Sequence, residues 1–102
     1  MTKLIASARA LPNLTVEIEW RDGGHDTIDF GPIIARGGVM SALADPVFFV
    51  EALRVEPDGY GMGWPSTPKD PNEVAGIDFS AASLWYRAHP ADLKRDFGDA
   101  AE

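Results

Sequence analysis

Leu14-Thr15-Val16-Glu17-Ile18-Glu19-Trp20-Arg21-Asp22-Gly23-Gly24-His25-Asp26-Thr27-Ile28-Asp29-Phe30 is the stretch whose reading decides the fold. Leu14, Val16, Ile18 and Trp20 alternate with Thr15, Glu17 and Glu19, the period of a strand with one buried face. Asp22-Gly23-Gly24 supplies residues that tolerate positive φ, as a tight hairpin requires. Alternation then resumes with Ile28 and Phe30 inward, so residues 14–30 read as a β-hairpin.

Upstream, Lys3 to Leu11 is ambiguous in pattern, since its alanines favour helix. Pro12-Asn13 reads as a turn leading directly into the hairpin, which favours a strand added to the same sheet. Downstream, Gly31-Pro32 ends the hairpin, and Ile33 to Arg36 make one short turn before Gly37-Gly38. Val39, Met40 and Leu43 suit short helical turns broken at Asp45-Pro46, where Asp45 is an N-cap and Pro46 the first helical residue of a brief helix. That helix is expected to plug the apolar face of the sheet with Phe48 or Phe49. Glu51 to Glu56 and Tyr60 to Trp64, joined by a turn at Pro57-Asp58-Gly59, read as a second hairpin. In Gly59-Tyr60-Gly61-Met62-Gly63-Trp64-Pro65 the glycines permit close backbone approach or a bulge, and Pro65 stops the strand.

Ser66 to Glu73 is a polar, proline-punctuated loop. Asp78 or Ser80 then caps a helix carrying Ala81, Leu84, Trp85 and Ala88 on one face, His89-Pro90 breaks it, and Ala91 to Phe97 add a further turn. The expectation is one α+β domain over residues 1–97, a small antiparallel sheet of two hairpins plus an N-terminal strand packed with two or three short helices. Residues 98–102 should fray.

The composition of the 102 residues, 45% hydrophobic and 25% charged, is that of a soluble globular chain and disfavours disorder. The absence of cysteine removes disulfides, thiolate zinc sites and cysteine nucleophiles. No apolar run approaches the ~20 residues that span a bilayer, and Met1 to Ala6 is too short for a signal sequence, so a cytoplasmic location with no membrane partner is expected. A net charge of -7, from 16 acids and 9 bases, disfavours direct binding to nucleic acid and suits a basic partner.

Catalytic patterns are sparse. His25 and His89 stand in no metal-ligand spacing and read as exposed turn residues, so neither a metal nor a cofactor is expected. Ser41, Ser66, Ser80 and Ser83 lie in no nucleophile context. Asp22, Asp26, Asp29 and Asp78 could gather near one sheet edge as paired acids, though turn and cap duties explain Asp22 and Asp78 more simply. The glycines have neither dinucleotide nor phosphate-loop spacing. Most of the aromatic residues must fill the core. Trp64, Pro65, Trp85 and Tyr86 lie near a strand end and a facing helix, where one or two could form an exposed contact patch.

The order of Leu14-Thr15-Val16, Asp22-Gly23, Asp29, Gly37-Gly38-Val39, Leu43-Ala44-Asp45-Pro46-x-Phe48-Phe49, Val55, Asp58-Gly59, Trp64-Pro65 and Asp78-x-Ser80-x-x-x-Leu84-Trp85-Tyr86 resembles the bacterial domain-of-unknown-function family 2442 over about residues 12–86. The resemblance implies a small α+β fold with an antiparallel sheet and short helices. Some longer members carry a helix-turn-helix domain after it, short ones are often encoded beside another small protein, and a toxin–antitoxin-like partnership has been suspected. No catalytic residues are established for the family, so none is carried over. This chain departs from the pattern in the insertion Ser66 to Gly76, and its stretch after Tyr86 is too short for an added DNA-reading domain.

Two functional expectations result. The first is a cytoplasmic protein-interaction module, the antitoxin-like partner of a small, basic neighbouring protein, with Trp64, Pro65, Asp78, Trp85 and Tyr86 as contact residues. The second is a small-molecule-binding or hydrolytic protein with a pocket near Trp64, Tyr86, Asp29 and Asp78. A homo-oligomer paired at a sheet edge is compatible with either.

Overall fold

The computed structural model describes residues 3–65 and 76–98. Among them, two three-stranded antiparallel sheets and four short α-helices make a small α+β fold. The Ser66 to Gly76 insertion, apart from Gly76, and the tail beyond Gly98 lie outside the described residues.

Sheet 1 contains β1 (Ile5–Leu11), β2 (Thr15–Trp20) and β3 (His25–Asp29) in that order. The alternation in β2 does what its period demands, and Val16, Ile18 and Trp20 are buried. In β1 the buried positions change parity, from Ile5 to Ala10, and a register shift between Ile5 and Ser7 absorbs the extra residue. Leu14 was expected to open the inward row of β2. It instead ends the preceding turn with φ 64°, its N–H donating to the Leu11 carbonyl at 3.0 Å and its carbonyl accepting from Phe30 at 2.9 Å. Its side chain still packs against the core.

Helical elements follow where the breakers stand. Pro32 occupies the first turn of α1 (Gly31–Ile34), and Gly37 with positive φ leads into a 3-10 stretch over Gly38–Ala44. Asp45 caps α2 (Pro46–Glu51), its Oδ1 accepting from the N–H groups of Val47 at 3.0 Å and Phe48 at 3.5 Å. Both Phe48 and Phe49 are buried.

The second hairpin belongs to a separate sheet. Sheet 2 contains β4 (Arg54–Val55), β5 (Gly61–Trp64) and β6 (Ile77–Ser80) in that order. β6 was not expected, because Asp78 and Ser80 read as alternative helix caps. Ile77 and Phe79 alternate with exposed Asp78 and Ser80, and the strand pairs along β5 with Gly63 opposite Asp78. Ser80 alone caps α3 (Ala81–Ala88), accepting the Ser83 N–H at 3.1 Å. Beyond His89, α4 (Pro90–Phe97) runs for eight residues.

Two joints unite the sheets. The first is aromatic. Phe30 from the end of sheet 1 lies 5.5 Å from Trp64 and 5.3 Å from Phe79 of sheet 2, while Phe49 of α2 stacks on Trp64 at 5.2 Å. The second is a backbone seam, in which the Ile5 N–H donates to the Gly59 carbonyl at 2.9 Å and Arg21 Nη2 to the Pro57 carbonyl at 3.3 Å. Gly59 has φ 79°, and a Cβ there would stand 2.9 Å from the Ile5 carbonyl oxygen. Gly23, at φ 97°, has nothing within 4 Å of the same position.

The contrast gives a test by urea unfolding. Gly23→Ala should cost about 1 kcal/mol, the price of a left-handed alanine. Gly59→Ala should cost at least about 2 kcal/mol, because the seam must also open.

Candidate functional site

The expected contact residues do not come together as one patch. Trp64 and Pro65 are buried, which corrects their reading as surface contacts, and the Trp64 indole N–H donates to the Phe49 carbonyl at 2.9 Å. Asp78 is an exposed residue of β6 and not a helix cap. Trp85 and Tyr86 are adjacent on α3 but serve different neighbours. Trp85 meets Trp20 of sheet 1, whereas Tyr86 donates its hydroxyl to Asp96 Oδ2 at 2.7 Å and packs its ring on Phe97 of α4.

The pocket expected at Trp64, Tyr86, Asp29 and Asp78 is likewise dispersed. Asp29 Oδ1 accepts the Gly31 N–H at 2.8 Å, a local turn that starts α1. With Trp64 sealed in the core and Tyr86 committed to α4, these four side chains hold separate posts.

A different cluster is assembled where α3 meets the hairpin end of sheet 1. The register sets Asp26 opposite Ile18, on the inward side of β3. Asp26 Oδ2 there accepts from Trp20 Nε1 at 2.7 Å and lies 2.8 Å from His89 Nε2. The His89 ring lies flat on Trp85, centroids 3.7 Å apart and planes at 18°, while Lys3 Nζ stands 4.3 Å from the Trp85 ring centre and pairs with Asp22. His89 is therefore half-buried and bonded, which corrects its reading as an exposed turn residue. The sequence held one signal for this cluster, since Trp85 and His89 stand at the i,i+4 spacing that brings side chains together on a helix.

Chemically, the cluster fastens the molecule. A carboxylate only accepts, so His89 Nε2 is the donor in this bond. The ring bonds to Asp26 and stacks on Trp85, and neither offers a hydroxyl or thiol proton for His89 to take. Trp85 Nε1 is buried and has no hydrogen-bond partner among the described residues. Also among the described residues, no group of three or more His, Asp or Glu could hold a metal ion.

Among the described residues the shifted groups are Asp22, Tyr86, Arg95 and Asp96. The hydrogen bond from Lys3, helped by the Gly24 N–H, holds the Asp22 carboxyl below its usual range. The Tyr86–Asp96 hydrogen bond raises the phenol and lowers the carboxyl, and Asp96 in turn raises Arg95.

On its outer face sheet 1 carries a shallow concavity of about 360 Å³. Arg9 pairs with Glu17 there, and Glu19 accepts from Ser7 Oγ at 3.4 Å with His25 Nε2 at 3.7 Å. These charges satisfy one another across strands, as on the solvated face of an antiparallel sheet.

Two measurements check this description. Asp26→Ala strands the Trp20 N–H and the His89 N–H together, so it should destabilise the fold by about 1–3 kcal/mol in urea. The depressed Asp22 carboxyl contributes stability above its unfolded pKa, and that contribution is lost as pH falls through the folded value. In an NMR titration Asp22 should protonate below the ordinary carboxylate range, and Lys3→Met should move it back up.

The chain matches no protein-family model, no curated protein and no solved structure with which it was compared.

Proposed function

We propose that this chain is a non-catalytic, cytoplasmic binding module that engages a small basic protein, as the antitoxin-like half of a pair. One observation carries the reading: no charged residue is buried among the described residues, so there the acidic excess of the -7 chain stands at the surface. Such a surface repels phosphate backbones and attracts a cationic partner, speeding encounter and selecting against acidic proteins. The order of motifs resembling the domain-of-unknown-function family 2442 adds support, because short members of that family are often encoded beside a second small protein. Among the described residues no helix is long and apolar enough to cross a membrane, which is compatible with the cytoplasmic part of the reading.

Co-expression tests it. The tagged chain, produced with each protein encoded next to its gene, should co-purify with a basic one at low salt and release it progressively as salt rises. Isolation of the chain alone in every combination would sink the reading.

A further inference from the structure

We infer that the partner docks in the apolar groove beside α2, where it inserts an aliphatic side chain from a basic amphipathic segment; the inference rests on the binding-module reading above. Among the described residues, four large apolar side chains stand well exposed: Val47 at 62%, Val50 at 37%, Tyr60 at 56% and Phe97 at 58%. Two of the four lie one turn apart on the same six-residue helix. Together with Pro12 and Pro46 they line a groove of about 240 Å³, whose single charged member is Glu51.

The helix cannot turn to hide this face. Its other side sinks Phe48 and Phe49 into the core, and Trp64 is bonded to the Phe49 carbonyl. Val47 and Val50 are thus held outward, at positions where a solvated helix ordinarily carries polar residues.

Charge indicates what covers them. Glu51 is the last residue of α2, where a carboxylate opposes the helix dipole, and the last turn has no basic residue to offset it. Asp45 stands exposed at the other end. An apolar strip with an acid at each end complements an aliphatic side chain flanked by Lys or Arg. A second copy of this chain would bring the same acids and another -7 against the strip. The outer face of sheet 1 offers a weaker alternative, because its Arg9, Glu17, Glu19 and His25 already engage one another.

A short synthetic Leu/Lys amphipathic helix, with its Leu/Glu counterpart as control, probes the groove on the isotope-labelled full chain. Saturable NMR shifts should appear at the amides of Asn13, Val47, Val50 and Glu51 with the Leu/Lys peptide alone. Val47→Asp should weaken binding at least about tenfold, the effect of one lost aliphatic contact. Glu51→Gln should weaken it several-fold and flatten its salt dependence. Val47→Ser and Val50→Ser repeat the test should the aspartate variant fail to fold. Shifts centred on Glu17 and Glu19, an equal response to the Leu/Glu peptide, or a dimer of the free chain dissolved by Val47→Asp would each overturn the assignment. If a basic neighbour co-purifies equally well with the Val47→Asp chain, the groove is refuted while the module reading stands.

Discussion

An indole sealed away from water must still place its N–H, and the meeting of the two sheets depends on how Trp64 does so. The acceptor is the carbonyl of Phe49, near the end of α2, where helix carbonyls lack an intrahelical partner. One bond therefore satisfies two orphans, a buried donor and a helix-end acceptor. It also fixes α2 against β5, which sets the Phe49 ring on Trp64 and brings both to Phe30 at the end of sheet 1. The Asp45 cap and Pro46 start the helix at the residue that makes this alignment possible. The outward presentation of Val47 follows from the same anchoring.

The glycine-spaced run before Trp64 has a related purpose. Gly59 lets the backbone pass close to the Ile5 carbonyl oxygen, and a Cβ at Gly61 would stand 2.9 Å from the Phe79 carbonyl oxygen. The spacing that fails as a phosphate loop thus serves the approach of neighbouring backbone segments, one in each sheet.

What the sequence disclosed follows physical lines. Period-2 alternation at Val16, Ile18 and Trp20 and the Asp45-Pro46 cap are local signals, and local structure obeyed them. β6 escaped because Ile77 and Phe79 give only two inward positions, while Asp78 and Ser80 both carry strong cap preferences. Division of the strands between two sheets was hidden for another reason. Alternation states that a strand has a buried face, but not which neighbour it pairs with. The bond between Asp26 and His89 crosses from the first hairpin to the end of α3, and no local pattern records a meeting at that separation. The exposure of Val47 and Val50 is not a local property either, since it follows from which face of α2 the core takes up through Phe48 and Phe49.

The backbone seam has a consequence for how the molecule assembles. β1, β2 and β3 are joined by turns of a few residues, so sheet 1 closes at small entropic cost. Ile5 must meet Gly59 across more than half the chain, a non-local step with little to reward it until most of both partners is in place. Sheet 1 is accordingly the natural nucleus, and the seam is a late closure. Gly59 then belongs to the final stage of folding, and strain introduced there would hasten unfolding far more than it would slow the first collapse.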